Sequence, residues 1–396
     1  MHSDTSPQPA RRPPLEGILV ADFSRVLAGP LASMVLGDLG AEVIKVERPG
    51  GGDDTRAWGP PWTPDGTSTY FQSVNRNKRS VLLDLADADD LELARALIAR
   101  ADVMIENFRP GTLERLGLGE QAMRAANPRL VSCSLNAFGA GEGAALPGYD
   151  LLIQAVGGLM SVTGAPDGPP TKVGVALVDV IAGLFACVAI LAALAERERS
   201  GLGQRAEVSL LGSLLAGLVN QASGFLGADA VPERLGNRHP SIAPYECFAA
   251  SDGEFVVAVG NDRQFGSLCR ALDCAALAAD PRFATNALRV EHREALMEAL
   301  TPLFAVCSRA ELAHSLSEVG VPCGPVNDVR EAFALAASLG LGSIVEMAGG
   351  VRQVANPISL SATPVSYRAV PPALGADDEA LRAWLRGDAG RPGERS

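Results

Sequence analysis

Apolar positions along the chain fall into short runs bounded by turn residues. Six of these have strand length: Gly17 to Asp22 (GILVAD), Ala41 to Glu47 (AEVIKVE), Val81 to Leu85, Asp102 to Asn107 (DVMIEN), Arg129 to Phe138, and Ala206 to Leu211. Between them the spacing predicts helices from Pro30 to about Leu39, Asp87 to about Arg100, Tyr149 to Leu159 and Val180 to Glu198. Pro30 suits a first helical turn, and Asp87, Asp89 and Asp90 complement the dipole of the next helix. Strands alternating with helices predict an α/β fold, a Rossmann-like, doubly wound and mostly parallel sheet.

The pattern changes after Ala228. A Pro/Arg/His-containing connector, Val231 to Tyr245, precedes an alternating strand, Glu254 to Val259, and helices over Asp262 to Leu272 and Arg309 to Val319. This predicts a smaller α+β domain. The expected division is a disordered lead-in over 1–14, a large domain over 15–225 and 326–396, and a linker plus small domain over 226–325.

The longest apolar run, Val180 to Ala195, follows Asp179 directly and ends in Glu196, Arg197, Glu198 and Arg199. It is shorter than the roughly 20 residues of a membrane span, so it reads as a buried core helix. Asp179 is then expected at its mouth as the N-cap, where the helix dipole favours a negative charge.

The βαβ start raises dinucleotide binding, but the loop after the first strand reads SRVLAGP and contains no GxGxxG. Arg48 also directly follows Glu47, the position for a ribose-binding acid, so hydride transfer is disfavoured. A net charge of −12 argues against nucleic acid and against an anionic membrane surface. Seven cysteines without a CxxC read as thiols of a reducing, cytoplasmic compartment. The four histidines lack metal-ligand spacing, so no metal is expected. The segment MHSDTSPQPARRPP has no apolar core of a signal peptide.

Several motifs stand in a specific order: the loop Arg48 to Arg56, ENFRPGTLERLG from Glu106, Gly148-Tyr149-Asp150, Asp179, NPISLSATP from Asn356 and PPALG from Pro371. Through these the chain resembles the class III CoA-transferases, which include formyl-CoA transferase, carnitine CoA-transferases and α-methylacyl-CoA racemase. The resemblance runs from Leu15 to about Leu385. It implies Asp179 as nucleophile and places Val26, Leu27, Arg48, Trp58, Leu83, Asn107, Phe108, Arg115 and Tyr149 around substrate and CoA. Lys78 and Arg79 are further candidates for the CoA phosphates. It also implies an interlocked homodimer, with acyl-CoA and a free carboxylic acid as substrates and no tightly bound cofactor.

Two alternatives remain open at this point. Racemisation of a 2-methylacyl-CoA needs two acid–base groups on opposite faces of the α-carbon. Racemase members have His where this chain has Tyr149, a poor base near neutral pH, but Asp150 and Asp262 stand where racemase carboxylates lie. A CoA-binding protein without catalysis is the other. Within the transferases, Leu27 replaces the active-site Gln of formyl-CoA transferase, Asn237 to Ser241 replace its glycine-rich loop, and Ala86 and Pro147 replace two lysines. These departures argue against formate and oxalate as the substrate pair. The resemblance points instead to succinyl-CoA as donor and a dicarboxylate as acceptor, with Arg25, Arg56, Arg238 and His239 receiving a distal carboxylate.

Overall fold

Six strands, β1 (Leu19–Asp22), β2 (Glu42–Glu47), β3 (Lys78–Leu82), β4 (Val103–Glu106), β5 (Val131–Asn136) and β6 (Arg205–Ser209), pair in parallel in the order β3-β2-β1-β4-β5-β6. They belong to a computed structural model that describes residues 12–392. The chain divides into two units. One comprises residues 12–159, 173–230 and 342–392, and the other residues 160–172 and 231–341. The second unit thus takes in a segment upstream of the expected 226–325 and extends further along the chain. The lead-in expected over residues 1–14 lies largely outside the described residues.

Period-2 alternation explains why both faces of the sheet are apolar. Val20, Val43, Val103, Ile105, Val131 and Cys133 pack on one face, and Leu19, Ala21, Ile44, Val46, Val81 and Met104 pack on the other. Helix α1 (Ala28–Asp38) covers the first face together with the long helix Leu177–Ser200. Helix α2 (Ala88–Arg100) and the C-terminal helix Asp378–Arg386 cover the second. The strand order reverses at β1, where α/β sheets open a crevice outside the strand C-termini.

Three local differences from the sequence pattern matter for the site. Strand β3 begins at Lys78, because Lys78 and Ser80 are buried with hydrogen-bond partners that no polarity pattern reveals. Helix α3 spans only Asp150–Val156, with Tyr149 at its cap. Helix α4 spans Leu177–Ser200 and is capped by Ala176, so Asp179 is not the cap; it lies inside the first turn. Helix α4 is long and apolar enough to cross a membrane by length and composition, yet half of its apolar stretch is buried inside the protein.

In the second unit, strands β7 (Tyr245–Ala250), β8 (Gly253–Ala258) and β9 (Cys323–Pro325) form an antiparallel sheet. Its core includes Phe255, Phe265, Leu268 and Phe304, with Phe248 stacked on Phe304 at 4.1 Å. The helix Arg293–Ala305 and strands β7 and β9 were not apparent in the sequence pattern.

Candidate active site

Two adjoining cavities open at the C-terminal edge of the parallel sheet. The first, of about 240 Å³, is lined by Arg25 to Ala28 after β1, Asn107 to Pro110 after β4, Leu135 to Ala137 at the end of β5, and Tyr149 and Asp179. The second, of about 300 Å³, is lined by Phe23, Val46, Leu83, Leu85 and Phe108, with Arg25, Arg48 and Asp84 among its polar groups. The first stands at the reversal between β1 and β4, where topology places a ligand.

Asp179 owes its position to helix α3. One Asp150 carboxylate oxygen accepts the Val178 N–H at 2.8 Å and the Asp179 N–H at 3.3 Å. The other accepts the Gln154 side-chain amide at 2.6 Å, and Gln154 in turn accepts the Val173 N–H at 2.9 Å. Asp150 therefore satisfies first-turn donors of α4 from a neighbouring helix, the job an N-cap side chain does locally. Burial, and then the charge of Asp150, push the Asp179 carboxyl up to about 7. Desolvation thus outweighs what the dipole of the first turn offers a negative charge there.

The loop from Ser24 to Leu27 forms the facing wall. Asp22 accepts the Ser24 N–H at 3.0 Å, and Lys45 Nζ donates to the Ser24 carbonyl at 2.9 Å. The Asn107 carboxamide accepts the Arg25 N–H at 3.0 Å and donates to the Arg25 carbonyl at 2.8 Å. Asn107, expected to hold the CoA nucleotide, thus spends its amide on the loop backbone. Asp53 accepts the Val26 N–H, at 3.3 Å to each oxygen, and Val26 has φ +73°.

Beneath the loop lies a buried ionic cluster. Lys78 meets Asp22 at 3.1 Å and Lys45 meets Asp53 at 2.9 Å, and all four side chains are fully buried. Burial works to raise Asp22, but Lys78, Lys45 and the hydroxyls of Ser24 and Ser33 outweigh it and hold Asp22 at about 2. Burial lowers Lys78 to about 8, with Asp22 opposing.

Other candidate residues separate according to their partners. Val26, Leu27 and Tyr149 line the first cavity, Leu83 and Arg48 the second, and Phe108 both. Arg115 is exposed at the end of a short helix, bonded to Thr112, and lines neither cavity. Trp58 also lines neither; it meets Tyr70 edge-on at 5.1 Å. Tyr70 is a group the sequence did not single out. Burial first, then Asp179, Asp150 and Asp53, push its phenol up to about 12, so it is a neutral donor among carboxylates.

Among the arginines expected for an acceptor carboxylate, Arg25 lines both cavities and pairs with Asp54 at 2.9 Å. Arg56 is engaged by Glu47 at 2.8 and 2.7 Å through Nε and Nη2, donates from Nη2 to the Pro372 carbonyl, lies over Phe71 and lines neither cavity. Arg238 pairs with Glu294 and Glu246, and His239 Nδ1 accepts the Ser241 N–H; both belong to the second unit. Lys78, as described, and Arg79, paired with Asp377 and Glu42, are likewise committed inside the fold. Arg109, in the loop after β4, also lines the first cavity. For the racemase alternative, Asp150 is consumed in capping α4, and Asp262 pairs with Arg289 at 2.8 Å in the second unit. No cluster of His, Cys, Asp and Glu suited to a metal occurs among the described residues.

A half-buried carboxylate in a helical first turn, lining one cavity with a pinned backbone loop beside an apolar slot, suits acyl transfer from a large thioester. Residues 15–378 match the family model described as CoA-transferase family III. The chain belongs to CoA-transferase family III. It is 44% identical over 332 residues to a succinate–glutarate CoA-transferase of Agrobacterium fabrum, covering 82% of this chain and 83% of that one. It is 40% identical over 359 residues to an acetyl-CoA:oxalate CoA-transferase of Acetobacter aceti, covering 90% and 92%. The crystal structure of a CAIB/BAIF family protein from Brucella suis superposes with a TM-score of 0.86 at 42% identity, over 95% of this chain and 100% of that one. The CoA-transferase is thus an enzyme acting on acyl-CoA and carboxylic acids, in line with its named relatives.

Proposed function

We propose that this CoA-transferase moves CoA from succinyl-CoA or a similar short acyl-CoA to a small dicarboxylic acid, with Asp179 as covalent nucleophile. The observation that carries it is Asp179 within the cavity lined by Val26, Leu27 and Tyr149. An Asp179 carboxylate oxygen attacks the donor thioester carbonyl, forming a C–O bond as the C–S bond breaks, which gives a mixed anhydride and CoA thiolate. The thiolate attacks the aspartyl carbonyl and releases the donor acid, leaving an aspartyl-CoA thioester. The acceptor carboxylate attacks that carbonyl, and CoA thiolate then takes the acceptor acyl group and frees Asp179. Each intermediate is an activated acyl group, and an enzyme carboxylate supplies the carbonyl on which CoA is held between donor and acceptor. The Leu27 and Ala28 amides, which border the cavity at the start of α1, are the candidate backbone donors for the developing oxyanion, the Ser24, Arg25 and Val26 amides being held by Asp22, Asn107 and Asp53.

The apolar slot with Phe23, Leu83, Leu85 and Phe108 suits the adenine end of CoA, and Arg48 at its rim suits a phosphate. The first relative is named for two dicarboxylates, succinate and glutarate, and the second for the dicarboxylate oxalate beside acetyl-CoA, which supports a dicarboxylate acceptor. Arg25 and Arg109 in the first cavity are the arginines placed for its distal carboxylate. The homodimer is proposed from the apolar stripe Leu184, Phe185, Val188 and Leu191, which helix α4 presents to solvent within one chain.

The test combines trapping and turnover. Incubation with succinyl-CoA alone is expected to leave a hydroxylamine-sensitive adduct on the Asp179 peptide, and Asp179→Ala is expected to abolish CoA exchange between succinate and glutarate. Near-normal exchange by Asp179→Ala overturns the mechanism. Rapid α-deuteration of a 2-methylacyl-CoA in heavy water, without any acid acceptor, would make racemisation the better reading.

A further inference from the structure

Val26 is the one residue of the cavity wall whose backbone is in a costly conformation. Its φ of +73° lies in the left-handed region, which β-branched residues avoid because Cβ crowds the following carbonyl. Such a conformation persists only where the surroundings over-determine it. Among the described residues the acceptor for the Val26 N–H is the Asp53 carboxylate. Asp53 is itself anchored by Lys45 at 2.9 Å and by the Thr55 N–H and hydroxyl at 3.0 and 2.8 Å.

Lys45 also grips the Ser24 carbonyl. The Lys45–Asp53 pair therefore holds the chain on both sides of Arg25, whose own amide and carbonyl are clamped by Asn107. Two fully buried ions are an inefficient way to fill a core, since apolar residues of similar volume often stabilise as well or better. What an apolar pair cannot do is accept the Val26 amide. Directly after Val26 come Leu27 and Ala28, which line the cavity with Asp179 and begin α1. A flip of Val26 to negative φ redirects both.

We propose that Asp53, anchored by Lys45, is a positioning residue that holds Val26 in its left-handed conformation and so sets the cavity wall facing Asp179. The proposal rests on the reading of Asp179 as the reacting group. The wall faces Asp179 in the first cavity, so its loss is read in kcat; Asp53 and Lys45 also line the second cavity, so a direct role in holding CoA is read separately in KM.

The test is a double-mutant cycle with glycine, which adopts positive φ without a steric cost. Asp53→Ala, which removes the acceptor, is expected to lower kcat roughly ten- to hundred-fold, as small misplacements near a reacting centre do. Its KM for succinyl-CoA is expected to change less than about two-fold. In a Val26→Gly background the same Asp53→Ala change is expected to lower kcat by less than about three-fold, because the backbone no longer needs to be forced. An equal kcat loss in both backgrounds, or no loss in either, overturns the proposal. If Asp53→Ala does not fold, the double replacement Lys45→Met/Asp53→Leu removes both charges together, and the same comparison is made with and without Val26→Gly. Asp179→Ala is assayed alongside. Turnover by that variant sinks the reading of the site itself, whereas an inactive Asp179→Ala with no coupling in the cycle sinks only the positioning role.

Discussion

Asp179 carries a folded-state pKa near 7 against an ordinary value of 3.8, raised by burial and by Asp150. Two consequences follow for pH. The attacking form is the carboxylate, so kcat/KM is expected to fall on the acid side of about pH 7, and Asp150→Asn is expected to move that limb to lower pH. An Asp150→Asn limb unchanged in position would assign it to another group. A carboxyl whose pKa rises on folding costs stability once it is charged: fully above about pH 7, not at all below pH 4. Asp179→Asn is therefore expected to raise stability at pH 8 by about 1–2 kcal/mol, discounted for its partial exposure, and to give no gain at pH 3.5. Denaturant titrations at the two pH values check this. The arginines divide in the same way: Arg48→Ala is expected to raise KM for CoA esters, worth about 1–3 kcal/mol, with kcat little changed. Arg115→Ala, outside both cavities, is expected to stay within about 0.5 kcal/mol. A sequence shows that Arg56, Lys78 and Arg79 are cationic; it does not show that Glu47, Asp22 and Asp377 already hold them.

At the scale of elements, helix α4 sets the site through two contacts. Asp150 on α3 caps it across space, and Asp150→Ala is expected to lower stability by about 1–2 kcal/mol, as loss of an N-cap does. Gly183 on α4 lets the helix approach α1 closely. A Cβ there would sit 2.7 Å from the Ala28 carbonyl oxygen and 3.2 Å from Leu31. Gly183→Ala is expected to push the start of α1 away from Asp179, costing about 1–3 kcal/mol in stability and lowering kcat. Unchanged melting and turnover in that variant would mean that α1 yields without effect on the cavity. The apolar run of α4 was plain in the sequence, and so was the acidic residue at its start. That a side chain 29 residues upstream is the cap was not, because capping in trans leaves no local pattern.

For the whole molecule, a net charge of −12 repels CoA at long range, so binding depends on local cations such as Arg48. The exposed stripe on α4 is proposed to be buried by a second copy of the chain, and Leu184→Glu combined with Val188→Glu is expected to halve the mass in sedimentation equilibrium. A wild-type monomer at micromolar concentration would remove that proposal. The alternation of apolar strands and helices by itself determined the parallel α/β character, because strands buried on both faces read as near-continuous apolar runs rather than alternating ones. The order of motifs by itself marked Asp179 and the family. Strand order, the reversal between β1 and β4, and the convergence of the loops after them were decided only by tertiary structure. So were the pairing of buried Lys45 with Asp53, the left-handed Val26, and the raised pKa of Asp179. Each depends on the burial and distance of groups far apart in the chain, and neither quantity is written in the order of the residues.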